Sequence, residues 1–562
     1  MLLLLLLLLL LLLLLGKSMS KLPLLLLLPP PQQQQLLLLL LTRRELLQSL
    51  HNQSCRGLAP PMMQALPLLL LPLLLLMPSL PPTACDHVID DYGAIRHNAS
   101  ASAARANGLA LFKAVTAAAA GANGSRTAVV PLGGDFYFVP YSPFDGVSDV
   151  ELRLDGTLLA YTEGLDSAWP GCSRDTHWSC QTAIQFDNCN NVTVQGQGLI
   201  DGRGYDWWWH VILNHTDHRP DLFGMNLCTN VAVRGITLIN SPQFHMFLNV
   251  RRCAAPAVTK CNTLQVRNAI IEGVTVWVDV EKQKALLAAG NRLSDGATSD
   301  MPRGIPTFPL NTDGIDVKGQ NITVRACPAA AATHCTPHNP AQIRNCTVTN
   351  FDDAVCLKPT DGSAVAPFTN CTEDVLVQDV DIHLGVGASV GSVPPHDNVN
   401  CVRNSKFMDV RFHDALKGIY VKPNPGTGGR GVIDNITYEN IYGTNTVWWP
   451  VWVSTQQQHQ PGGSSTGCSF LFPAKGTCET DPFVPVTNLH FKNVTLLNGL
   501  FSEGVMRCNA SGPCTGWTFE DVTVTSVTHW PVKNGFLCDS IYNSTWKNVT
   551  PDLSACFNRQ QD

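Results

Sequence analysis

Residues 230–238 read Asn-Val-Ala-Val-Arg-Gly-Ile-Thr-Leu: a polar turn residue, then two short β-branched runs split by one glycine. Such a run alternates apolar and polar positions and is bounded by turn residues, which is the signature of a strand packed on one face. The pattern recurs on both sides. Asn191-Val-Thr-Val precedes it, and Val266-Arg-Asn-Ala-Ile-Ile-Glu-Gly-Val-Thr-Val, Asn321-Ile-Thr-Val and Asp374-Val-Leu-Val-Gln-Asp-Val follow. Asn435-Ile-Thr-Tyr-Glu-Asn-Ile, Asn488-Leu-His-Phe-Lys-Asn-Val and Trp517-Thr-Phe-Glu-Asp-Val-Thr-Val continue the series. The spacing is about 25–40 residues, and no long helical pattern separates the runs, which excludes a doubly wound α/β fold. Repeats of this size cannot bury their apolar faces alone and must stack. The expected fold is all-β: a single-stranded, right-handed parallel β-helix over residues 85–562, with the recurring asparagines stacked rung on rung at the turns. A β-sandwich or a propeller is the competing reading. A propeller needs about four strands per repeat, and each unit here supplies two or three.

Composition agrees with a large core. Of 562 residues 45% are hydrophobic and only 15% charged, and the formal net charge of -6 excludes nucleic acid as the main partner. Residues 1–61 read as a low-complexity leucine-rich leader whose runs are shorter than the roughly 20 residues that span a bilayer. Residues 62–84 read as a signal peptide, with an apolar centre at Leu66–Met77 and a small residue before Cys85, so that Met62 or Met63 is the expected start of translation. Only Cys55 of the 20 cysteines precedes Cys85. Close pairs (Cys172/Cys180, Cys253/Cys261, Cys327/Cys335, Cys468/Cys478, Cys508/Cys514, Cys538/Cys556) point to disulfides in an oxidising compartment. Twelve Asn-x-Ser/Thr sequons after Cys85, Asn191, Asn321, Asn435, Asn493 and Asn548 among them, fit a secreted glycoprotein. An extracellular monomer with no membrane contact after signal cleavage is expected.

Four motifs recur in phase: Asn311-Thr-Asp-Gly-Ile-Asp, Phe351-Asp-Asp-Ala-Val-Cys-Leu-Lys, Gly385-Val-Gly-Ala-Ser-Val-Gly-Ser and Gly418-Ile-Tyr-Val-Lys. Steps of 39, 34 and 36 residues lead from Asp313 to Asp352, Val386 and Lys422. Equal phase on successive rungs means vertical neighbours, since adjacent strands lie about 4.8 Å apart. Asp313, Asp352 and Asp353 would then converge on one face with Lys422 close by. Glycoside hydrolysis needs this pairing of a protonated and an ionised carboxyl. Like-charge repulsion from Asp313 and Asp353 would keep Asp352 protonated as the acid, and the other two would position water.

With these motifs the chain resembles the polygalacturonase family of glycoside hydrolases, family 28. The likeness extends from Asp91-Tyr-Gly-Ala through Ile200-Asp-Gly-Arg-Gly-Tyr-Asp-Trp-Trp and Asn240-Ser-Pro to the four motifs. It implies that Asp313, Asp352 and Asp353 are catalytic, that hydrolysis inverts the anomeric centre, and that the lysine holds a uronate carboxylate. The family's third and fourth motifs carry a histidine and an arginine where this chain has Val386 and Tyr420. Substrate-binding candidates are Lys422, Tyr420, Asn311 and His245; no metal and no cofactor are expected. The substrate would be pectin, polygalacturonate or rhamnogalacturonan, and Tyr420 would offer its aromatic face to a less charged sugar.

Other residues are read more plainly. Asp316 is expected to be a surface or turn carboxylate, Cys356 a buried or bridged residue, and Trp207–Trp209 and Trp448–Trp449 core packing rather than sugar platforms. His383 is a weaker candidate to replace the missing histidine. The insertion Glu281–Leu310 and the Cys327–Cys335 loop are expected beside the active face, where they would favour exo action. A lyase on the same architecture would want a Ca²⁺-binding carboxylate array and a basic proton abstractor, and a non-catalytic carbohydrate-binding β-helix would not need three converging carboxylates.

Overall fold

The computed structural model describes residues 85–557 apart from 165–166, 174–178, 206, 209–217, 250–265, 289–307, 327–345, 362–369, 398, 426–428, 459–466, 470 and 534. The leader and signal segment therefore lie outside the described residues, as do Trp209, Cys253/Cys261, Cys327/Cys335 and much of the insertion before Asn311.

Most rungs contribute three strands, and in two rungs the second and third run together as one strand, Gly431–Thr444 and Val486–Gly499. One rung runs Phe223–Asn226, Thr229–Arg234, Thr237–Ile239; the next runs Met246–Asn249, Val266–Glu272, Thr275–Trp277, and each strand pairs in parallel with its counterpart one rung away. Among the described strands the pairings give sheets of 11 and 24 strands, the right-handed parallel β-helix expected. The 11-stranded sheet carries the site. Its strands are β1 (Phe144–Asp145), β2 (Ile184–Asp187), β3 (Phe223–Asn226), β4 (Met246–Asn249), β5 (Ile315–Val317) and β6 (Val355–Leu357), followed by β7 (Ala388–Val393), β8 (Lys417–Pro423), β9 (Trp449–Val453), β10 (Gly504–Arg507) and β11 (Phe536–Asp539).

Alternation decides which side chains enter the coil. In Asn321-Ile-Thr-Val the residues Ile322 and Val324 are buried while Asn321 is exposed and Thr323 half-exposed. Fully burying each such side chain stabilises by roughly 1.5–3 kcal/mol. Aromatic rings stack along the coil: Phe407, Tyr438, Phe491 and Phe519 are spaced 4.9, 5.6 and 4.8 Å apart. The turn asparagines form the expected ladder. Asn268 donates to Asn230 at 2.9 Å and Asn321 to Asn268 at 2.8 Å, all three with φ near +55°.

The longest helix among the described residues has no counterpart in the sequence reading. Helix α1 (Ala101–Ala119) packs Leu111, Val115 and a row of alanines against the strands Thr127–Val130 and Asp135–Phe138. Its buried face is mostly small residues, five of them alanine with Asn107 and Gly108, so its hydrophobic periodicity is faint, and Ser100 caps it by accepting from the Ala103 amide. Four of the expected disulfides form: Cys172–Cys180, Cys468–Cys478, Cys508–Cys514 and Cys538–Cys556. Two others, Cys189–Cys228 and Cys371–Cys401, join successive rungs, a proximity that sequence spacing conceals.

Candidate active site

The residues preceding β5 and β6 bring the aspartates together. Ile315 pairs with Val355, Val355 with Ala388, and Ala388 with Ile419. Two residues back, Asp313, Asp353, Val386 and Lys417 stand in one vertical column. The in-phase count had placed Asp352 and Lys422 in this column; each rung differs in length, so equal spacing misassigns them by one and five residues. The nearest carboxylate oxygens of Asp313, Asp352 and Asp353 still lie within 4.8 Å of one another. Asn350, fully buried, holds the turn by donating to the carbonyls of Thr312, Asp352 and Asp353 at 2.8–2.9 Å.

Two ammonium groups sort the charges. Lys358 reaches Asp353 at 2.9 Å, Asp313 at 3.1 Å and Asp316 at 3.4 Å. Lys422 donates to both oxygens of Asp353, at 2.9 and 2.7 Å. Burial opposes ionisation of Asp353, but the two lysines outweigh it and hold its carboxyl below the usual carboxylate range. Asp352 differs. Its oxygens accept from the Asp353 amide at 2.9 Å and from Asn311 Nδ2 at 3.3 Å, and burial, then Asp313 and Asp353, push its pKa up to about 7. Asp313 is also raised, by burial first, with Lys358 opposing. Its Oδ1 is buried without a hydrogen-bond partner. A divalent cation among the three would have to compete with Lys358 and Lys422 for the ionised oxygens of Asp353.

The substrate-binding expectations need correction. Tyr420 is buried, and its ring has Lys417 at 3.6 Å and Lys422 at 4.5 Å from the centroid. Two ammonium groups thus lie over the ring expected to face a sugar. Lys422 is directed at Asp353 rather than outward. His245 does not line the cleft: its Nδ1 donates to the Asp313 carbonyl at 3.0 Å and its Nε2 accepts from the Ser241 amide at 3.2 Å. Burial pushes its pKa down to about 4, so it is a neutral brace beneath Asp313. Asn311 does join the site, oriented by the buried Arg219, which donates to its Oδ1 at 3.1 Å and to the Pro242 and Leu310 carbonyls.

Asp316, expected at the surface, is buried on β5 facing Lys358, with its pKa pushed up to about 6, chiefly by burial. Asp316 and Lys358 were legible only through strand alternation, which turns both outward on neighbouring rungs. Cys356 is buried and free. His383 stacks on His413 at 4.6 Å in the other sheet. Trp207, Trp208 and Trp449 are fully buried, as core packing requires.

Residues 143–541 match the model of glycosyl hydrolases family 28. The chain belongs to that family. It is a pectin-degrading glycoside hydrolase. Its relatives include exopolygalacturonase A of Aspergillus niger, 23% identical over 78% of this chain and 85% of the relative. An exopolygalacturonase of Zea mays is 25% identical over 73% of this chain and 77% of its own length. Among solved structures, a polygalacturonase from Erwinia carotovora superposes with a TM-score of 0.49 at 17% identity, covering 84% of this chain and 98% of that one.

Proposed function

We infer that this protein is a secreted polygalacturonase-like hydrolase in which Asp352 is the general acid and Asp313 and Asp353 hold the attacking water. The observation that carries this reading is the opposed electrostatics of adjacent carboxyls: Asp352 is held protonated up to about pH 7, while two lysines keep Asp353 ionised. That is the pairing hydrolysis requires. Burial raises the Asp313 pKa despite Lys358 at 3.1 Å, so Asp353 is the ionised member of the group, and Asp313 offers its unpartnered Oδ1 as a hydrogen-bond acceptor for the water.

The spacing bears on stereochemistry. Paired carboxyls lie about 5–5.5 Å apart in retaining enzymes and about 6.5–9.5 Å in inverting ones, so nearest oxygens within 4.8 Å lean toward retention. Against that, Asp353 has both oxygens engaged by Lys422 and is a poor nucleophile. Inversion, which family likeness also supports, is therefore the reading adopted. Six described disulfides support an oxidising, extracellular setting.

The test is to incubate the protein with polygalacturonate and with rhamnogalacturonan and assay reducing ends, unsaturated sugars and, by proton NMR, the first anomer formed. Asp352→Asn should lower turnover on polymer about 10²–10⁴-fold, yet retain part of the rate on an aryl glycoside whose leaving group needs no proton. Asp313→Asn should lose both. A variant of Asp352 that keeps a tenth of the polymer rate, or unsaturated products, would overturn the assignment.

A further inference from the structure

The cleft beside the aspartates runs along the sheet from β7 down to β1, with a volume of about 1120 Å³. Gln185, Phe247 and Asp316 line it and stand with Gly224 in one outward column across β2, β3, β4 and β5. Gly224 is the exception in that column, having no side chain, and Phe247 uses the space. A Cβ on Gly224 would lie 2.2 Å from Phe247 Cζ and 2.7 Å from both Cε atoms. The ring is therefore laid over the glycine, half-buried and one rung from Asp316. A rung is about 4.8 Å, the scale of one sugar residue in an extended chain. A flat aromatic ring on the floor of a polar cleft suits the apolar face of a pyranose.

The charges around this ring are unevenly placed. The lysines lining the cleft, Lys318 and Lys358, follow β5 and β6 at the aspartate end. From the Gly224–Phe247 rungs outward the ionisable lining groups among the described residues are Asp145, Asp187 and Asp221. Two of the lining amides, Gln185 and Asn226, are turned to Asp187. Gln185 Nε2 donates to both Asp187 oxygens at 2.9 Å and Asn226 Nδ2 to Asp187 Oδ1 at 2.8 Å. Like charges disfavour a uronate carboxylate there.

We propose that Phe247, laid over Gly224, is the stacking platform for the sugar bound on the β3–β4 side of the aspartates, and that this sugar carries no free carboxylate. A neutral deoxysugar and a methyl-esterified uronate share that chemistry. The proposal rests on the hydrolase reading of the cleft and adds the class of substrate it takes.

The experiment uses the full-length Asp352→Asn protein, so that binding is measured without turnover. Calorimetry compares three oligosaccharides of equal length: de-esterified oligogalacturonate, its methyl ester and a rhamnogalacturonan fragment. The ester or the rhamnose-containing chain should bind about tenfold tighter than the free acid, and whichever leads identifies the natural occupant. Adding Phe247→Ala should erase that preference and weaken binding about tenfold, whereas Phe247→Tyr should keep both. Gly224→Ala, which displaces the ring, should behave like Phe247→Ala; if it does not fold, the two Phe247 variants decide. Tightest binding of the free acid, or an unaltered Phe247→Ala, overturns the proposal. In the wild type, loss of the preference with hydrolysis intact refutes the platform alone, whereas no hydrolysis of any substrate refutes the hydrolase reading.

Discussion

Asp352 and Asp353 are adjacent in sequence, buried to a similar degree, and opposite in ionisation. The difference lies in where two lysines from other rungs put their ammonium groups, and it sets the pH response. A general acid must be protonated, so kcat should fall as pH rises through about 7, the value to which Asp352 is pushed. Asp353 must stay ionised, and its depressed pKa keeps it so until the medium is strongly acidic. The profile should be bell-shaped and centred on the acidic side; the coupled carboxyls yield apparent values that belong to the cluster. Stability follows the same signs. The contribution of Asp353 is present above the usual carboxylate pKa and lost as pH falls toward its folded value. The raised pKa of Asp352 costs the fold increasingly as pH climbs from the usual carboxylate range through about 7. Lys422→Met should leave a buried charge with one partner fewer, costing about 3–5 kcal/mol. Since Lys422 also lowers the Asp352 pKa, the alkaline limb should move upward. Denaturant melts and a kcat/KM profile check both, and an unmoved limb would separate Lys422 from the acid.

At the level of the strand, the asparagine ladder accounts for a pattern that also spells glycosylation sequons. A turn asparagine in the left-handed region, then an inward apolar residue, then an outward threonine spells Asn-x-Thr. Asn191, Asn321, Asn435, Asn493 and Asn548 all adopt φ of 51–55°. Each donates its side-chain amide to a neighbouring rung at 2.7–3.0 Å. These five sequons are products of the fold and say little about secretion. Asn321→Ala should cost about 1–3 kcal/mol through the lost hydrogen bond and the strained positive φ, even in protein made by a host that attaches no N-glycans. A thermal melt identical to wild type in that host would mean the ladder contributes nothing and the sequon serves a glycan.

Across the whole molecule, the coil makes a long cleft out of short strands, and what blocks or opens its ends governs the product pattern. The expectation that the insertion Glu281–Leu310 closes one end and gives exo action is checked by the product pattern. Digestion of a long polymer should then release monomer from the start, followed by chromatography of early time points. Mid-size oligomers appearing first would show an open groove. Tyr420→Arg, attractive as a way to restore the family's arginine, should instead place a third cation between Lys417 and Lys422 and weaken the fold. Burial, then the nearness of Lys422, already holds the Lys417 ammonium well below its ordinary pKa.

The chain sequence by itself determined the coil, its asparagine ladder and the gathering of Asp313, Asp352 and Asp353, because strand alternation, turn residues and repeat motifs are local properties. The direction of the Asp352 shift was also legible, since three nearby carboxyls repel however they are arranged. Only the tertiary structure decided which residues stand in register. Rungs of unequal length slide Lys422 out of the aspartate column and Lys417 into it, and no count along the chain reveals this. It also decided that Tyr420 and His245 turn away from the cleft and that Asp316, Lys358, Arg219 and Asn350 enter the site. Those roles depend on side chains meeting across rungs, where a step of about 4.8 Å joins residues 30 or more positions apart in the chain.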